Sequence, residues 1–126
     1  MNKFLLIMLL TIMNSSVMAE WVQVGENEDY NVYVDPTTIR KSGNTVRIWS
    51  LHDYKRAKGS IPYMSSTLER EHDCKEKRGQ QLFLAFYSKN MGKGATIWKD
   101  TELRNWRQVT SDTVKETVWK YACGKG

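Results

Sequence analysis

The residue types best suited to chemistry in this chain are two histidine-aspartate neighbours, His52-Asp53 and His72-Asp73. Imidazole beside carboxylate is common metal-ligand and proton-transfer chemistry. Whether the two pairs can meet depends on the strands that carry them. If 46–54 and 64–74 form a hairpin, pairing puts position 54 opposite 64, and His52 faces about Ser66. His72 then lies about six residues further along, on the order of 20 Å away at ~3.4 Å per residue. The histidines cannot share an ion, and no metal site is expected. Ser65, Ser66 and Ser111 sit in no Gly-x-Ser-x-Gly elbow with a neighbouring basic His, and Gly92-Lys93-Gly94 lacks the phosphate-loop pattern. The expectation is a protein without catalytic residues and without a cofactor.

The remaining chemistry belongs to Cys74 and Cys123, and its meaning depends on compartment. Residues 1–19 carry one lysine, an apolar run from 4 to 13 broken only by Thr11, and then polar and small residues ending at Val17 and Ala19. That is the pattern of a secretory signal peptide. The run is too short to anchor the chain, because a stable span of ~30 Å of hydrocarbon needs roughly 20 residues. No cysteine lies in or just after the segment to accept a lipid. The predicted organisation is therefore a signal peptide at 1–19 and one domain at 20–126, in the periplasm, secreted or at the cell surface, with no transmembrane or lipid anchor. In an oxidising compartment an even pair of cysteines is normally bridged. The rival, a redox-active pair, lacks the Cys-x-x-Cys spacing that lowers a thiol pKa.

The full chain has 126 residues, 40% apolar and 26% charged, with a formal charge of +5 that loses one unit with Lys3. Such a composition holds one globular domain and gives no case for disorder. Two features exceed what a small core needs. The first is five Trp and six Tyr, residue types that dominate binding hot spots. Tyr54, Tyr63 and Trp98 fall near turns and are the expected exposed anchors, while Trp49, Phe83, Phe86 and Trp119 are expected in the core. The second is a pair of basic connections, Lys55, Arg56 and Lys58 in one and Lys75, Lys77 and Arg78 in the other. They suit acidic polymers, matrix protein or anionic lipid, or serve as solvated loops. No RNA- or DNA-binding motif is present, and nucleic acid is not an expected partner.

The elements that must position these residues are mostly strands. Apolar alternation predicts short strands at 21–24 and 30–34, a turn at 35–38, a long strand at 46–54, a connection at 55–62 and a strand with one wetted face at 64–74. The run 82–87, apolar on both faces, reads as the central strand. Weaker strands are expected at 96–98 and 105–109. From 113 to 123 the period changes, and Val114, Val118, Tyr121 and Ala122 make the stripe of an amphipathic helix. Thr110, Ser111 or Asp112 is expected to supply the N-cap oxygen, and Gly124 to end the helix. Strands first and a helix last predict an α+β domain: a single antiparallel sheet with a C-terminal helix packed on one face and tethered to it by a Cys74–Cys123 disulfide.

One resemblance spans nearly all of residues 20–126. Trp21, Tyr33-Val34-Asp35, the W-x-L-x-D-Y run from Trp49 to Tyr54, Ser65-Ser66 leading to Glu71-His72-Asp73-Cys74, and a closing segment with Trp119 and Cys123 are similar to the bacterial surface-adhesin protein E-like family. The resemblance implies a six-stranded antiparallel sheet with the helix disulfide-tethered to its concave side, and a homodimer. It also implies binding of host extracellular-matrix proteins such as vitronectin and laminin. Thr110 stands where the family usually has Pro, and the lipid-acceptor cysteine of the family's namesake is missing here. The resulting expectation is an exported, non-enzymatic, adhesin-like protein that binds extracellular-matrix or envelope proteins. The alternative is a periplasmic structural or stress-related envelope protein with no host ligand.

Overall fold

The computed structural model describes residues 19–60 and 62–125, so the signal-peptide reading falls almost wholly outside the described residues. Strands β1 (Val22–Glu26), β2 (Tyr30–Ser42), β3 (Thr45–Lys58), β4 (Tyr63–Asp73), β5 (Arg78–Tyr87) and β6 (Thr96–Asp100) follow one another across a single antiparallel sheet in chain order. A two-residue strand, β7 (Arg107–Gln108), pairs with the start of β5, so β6 and β7 share that edge. Helix α1 (Val114–Lys125) closes the chain. The α+β architecture predicted from the sequence is the observed one.

Side chains alternate between faces along each strand, so one register fixes which residues α1 can meet. Val32 and Val34 on β2 and Val46 and Ile48 on β3, each no more than 1% exposed, form the core with Val118 and Ala122 of the helix. The other face has a smaller buried patch. Leu51, Thr67 and Ala85 lie there, and the loop 88–95 covers them by bringing the Cα of Gly92 close to Leu51 and Thr67.

Several local expectations are corrected. Residues 35–38 do not turn the chain: β2 runs through them with a bulge between Asp35 and Arg40. The turn chemistry is present but serves the bulge. Asp35 accepts the Thr37 N–H and hydroxyl, Thr38 Oγ1 donates to the Asp35 carbonyl, and that same hydroxyl accepts the Trp49 N–H. The backbone groups that a bulge frees are thereby satisfied. The central strands are β3 and β4 rather than the apolar run of β5. Ser65 and Thr67 on β4 tolerate burial because they are hydrogen-bonded: Ser65 Oγ donates to the Lys89 carbonyl at 2.6 Å, and Thr67 Oγ1 meets the Tyr87 hydroxyl at 3.0 Å.

The helix cap is Thr113, not one of the three residues before it. Its Oγ1 accepts the Glu116 N–H at 3.2 Å, and Glu116 reaches back to accept the Asp112 N–H at 3.1 Å, a close variant of the capping box. Gly124 lies inside the last turn rather than ending it. The Cys74–Cys123 bridge, with Cα atoms 5.6 Å apart, ties that last turn to the end of β4. Trp119 Nε1 donates to the Asp73 carbonyl beside it.

Candidate functional site

The two histidine-aspartate neighbours are split by strand geometry. Consecutive strand residues point to opposite faces, so each imidazole lies on the helix face while its carboxylate points away. Asp53 anchors the loop 88–95, accepting the Met91 N–H at 2.8 Å and Asn90 Nδ2 at 2.9 Å. Asp73 organises the turn after β4, accepting the Lys75 and Glu76 N–H groups and Arg78 Nε. His52 pairs with Ser66 in the β3–β4 register, as the hairpin argument predicts, and His72 pairs with Val46. Among the described residues no three His, Cys, Asp or Glu side chains gather as a metal site would require.

Both imidazoles are held neutral. Burial, with the charge of Arg70, pushes His72 down to about 4; His52 is pushed to about 4 by burial and by Lys115 and Arg70. His52 stacks on Tyr30, with ring centroids 4.5 Å apart.

The aromatic side chains of Tyr54, Tyr63 and Trp98 do come together. From Tyr30 the rings run to Tyr54 (5.3 Å), Tyr63 (5.3 Å), Phe86 (4.4 Å) and Trp98 (5.6 Å), one continuous row from β2 to β6. The register that aligns Tyr30 with Tyr54 and Phe86 with Trp98 builds the row on the face that carries α1. Trp98 is 49% exposed, while Tyr54 and Tyr63 are half-buried against their neighbours. Burial raises the Tyr54 hydroxyl to about 12, so it remains a neutral donor and acceptor. Phe86, expected in the core, belongs to this row, and Trp49 and Phe83 form a tilted, half-buried pair on the opposite face. Spacing along one strand could not reveal Tyr30 and Phe86 as members, because the row exists only across strands.

The basic connections are largely engaged. Lys55 pairs with Glu26 and Lys58 with Asp29, both at 3.0 Å, which ties the β3 end to the β1–β2 turn; Arg56 is exposed beside them. In the second connection Lys77 pairs with Glu116 at 2.6 Å and lies over the Trp119 ring. Arg78 pairs with Asp73 at 3.0 Å and covers Trp106, while Lys75 is exposed. Lys77 and the Asp112 N–H hold the Glu116 carboxyl at about 2. Beside the N-terminal turn of α1 a cleft of about 1190 Å³ opens between helix and sheet, with Tyr30 and His52 in its wall.

These features define a class: a single antiparallel sheet crossed by one disulfide-tethered terminal helix, with an aromatic row on the helix side. The chain belongs to the surface-adhesin protein E family, whose profile matches residues 21–124. Solved structures of Haemophilus influenzae protein E share the fold. Crystal form II is 15% identical with a TM-score of 0.66, covering 86% of this chain and 91% of that one. A second structure is 15% identical with a TM-score of 0.64 over 86% and 87%. Protein E from non-typeable Haemophilus influenzae is 15% identical with a TM-score of 0.63 over 87% and 79%. No curated protein sequence matches the chain. Among the described residues no helix is long and apolar enough to cross a membrane.

Proposed function

We propose that this is an exported, non-enzymatic, adhesin-like protein that holds an extracellular-matrix protein on the open part of its helix face. Residues 1–19 act as the secretory signal in this reading, and 20–126 form the binding domain. The observation that carries it is the aromatic row from Tyr30 to Trp98, which starts at Tyr30 against the core and continues through Tyr54, Tyr63 and Phe86 to the exposed Trp98. Rings of this kind supply large contact area at little entropic cost, and they anchor protein interfaces. Tyr54, Tyr63 and Trp98 are the contact residues, with Arg56 and the paired Lys55 and Lys58 at one end. Lys77 is committed to Glu116 of the helix and Arg78 to Asp73 of the β4–β5 turn, and Lys75 is exposed beside them.

Two measurements test the proposal together. Protease applied to intact cells should digest the protein, and the purified disulfide-bonded protein should bind immobilised matrix protein saturably and in a salt-sensitive way. Release by osmotic shock alone, with no matrix binding, would favour a periplasmic structural role.

A further inference from the structure

Next to the aromatic row lies a second cleft, of about 460 Å³, that gathers positive charge without the acids to balance it. Arg70 enters it from β4. Only 9% of this residue is exposed, yet its Nε is buried without a hydrogen-bond partner. His72, two residues along the same face and 1% exposed, also has both ring nitrogens buried without a partner, although it does not line the cleft. Lys115, from the first turn of α1, and Arg107, from β7, complete the basic wall. The single carboxylate among the lining residues is Asp100, and it is committed to Arg104, whose Nε donates to it at 2.9 Å. Among the described residues no carboxylate stands within ion-pair distance of Arg70, Arg107 or Lys115.

Such an arrangement is costly unless something fills it. A buried donor without a partner loses its hydration and gains nothing in return. Like charges gathered on one wall repel one another. That repulsion shows on Lys115, which burial and the charges of Arg70 and Arg107 hold below its usual range. The backbone also makes room for the guanidinium. A Cβ placed on Gly79 would come within 2.6 Å of Arg70 Nη2, so the bare glycine leaves the space that the Arg70 side chain occupies.

We propose that this cleft is an oxyanion-binding site, in which Arg70, Arg107 and Lys115 hold a carboxylate or phosphate group. Guanidinium groups present planar pairs of N–H donors that match such oxygens, and the ammonium adds a point charge. The oxyanion arrives either as a free small anion or as an acidic side chain of a bound polypeptide. The site does not depend on what the aromatic row holds, and either proposal stands if the other fails.

Isothermal titration calorimetry of the disulfide-bonded protein tests the site, with citrate, pyrophosphate and a hexaglutamate peptide as probes. The expected result is saturable one-site binding of at least one probe, weakened by added salt. Arg107→Ala and Lys115→Ala alter exposed side chains, and each should weaken binding by about tenfold or more. The double variant Lys89→Ala with Lys93→Ala, exposed on the loop 88–95 and outside the cleft, should bind as the parent does. Binding of hexaglutamate alone identifies an acidic polypeptide as the source, and binding of citrate or pyrophosphate identifies a small anion; both support the site. The proposal is overturned if no probe saturates, or if the two cleft variants bind as tightly as the parent.

Discussion

The turn between β4 and β5 and the cleft beside α1 carry positive charge in opposite conditions. At the turn, Lys77 and Arg78 each have a carboxylate and an aromatic ring, and the Cys74–Cys123 bridge fixes the backbone between them and the helix. In the cleft, Arg70, Arg107 and Lys115 share one wall, with the one carboxylate among the lining residues already taken by Arg104. The difference teaches where the molecule is finished by its own chain and where it is left open to something else. Charge in the sequence does not separate the two, since every one of these residues reads as a solvated cation.

The largest effect should come from the finished side. Replacing both Cys74 and Cys123 by Ser releases a constraint over 49 residues, and the chain-entropy model gives a loss of about 4 kcal/mol as an upper figure. Guanidinium unfolding of the variant against the parent measures it. A loss under about 1 kcal/mol would mean that core packing, and not the bridge, holds α1 to the sheet.

Acidification should separate the regions by pH window. His72 has a folded pKa near 4 against an ordinary 6.5, so the unfolded chain binds the proton first and stability falls as pH drops between those values. Its share is on the order of 3 kcal/mol, at ~1.4 kcal/mol per pKa unit. His52, shifted the same way, adds to the fall in the same window. Glu116 acts lower. Its folded pKa is depressed to about 2 from 4.5, so its stabilisation is complete above 4.5 and is lost as pH falls toward 2. Urea midpoints measured from pH 7 to 3 should fall in the histidine range first. In a Glu116→Gln variant the fall between pH 4.5 and 3 should shrink, while the fall above 4.5 persists.

The smallest effects belong to the far end of β3. Lys55→Ala or Lys58→Ala breaks one exposed ion pair, which is worth less than about 1 kcal/mol in the unfolding midpoint. A larger loss would show that this end of the sheet is as tightly finished as the β4–β5 turn.

Much of the frame was legible in the sequence. The period change at 113, the even pair of cysteines and the alternation of 46–54 are readable signals, and each found its element. The β3–β4 register was also legible, because one connection length fixes it. Other features depend on distant partners. The 35–38 segment carries turn residues, but Trp49 draws Thr38 into a bulge. The β5 run is apolar because it faces Trp49 on one side and the aromatic row on the other, not because it lies in the middle of the sheet. Of the site, Tyr54, Tyr63 and Trp98 were readable as aromatics near turns, while Tyr30 and Phe86 join them only through the register. The strand alternation also carries a signal for Arg70. On β4 it shares a face with Ser66, Leu68 and His72, so the same alternation that buries them buries a cation.

The account rests on the aromatic row being a surface for a partner rather than a part of the fold. Surface plasmon resonance of the disulfide-bonded protein over immobilised vitronectin, parent against Tyr63→Ala and Trp98→Ala, tests that most directly. Saturable binding that weakens by about tenfold or more in both variants, with Trp98→Ala leaving the unfolding midpoint within about 0.5 kcal/mol of the parent, is the expected result. Absence of binding by the parent, or equal binding by all three proteins, would contradict it.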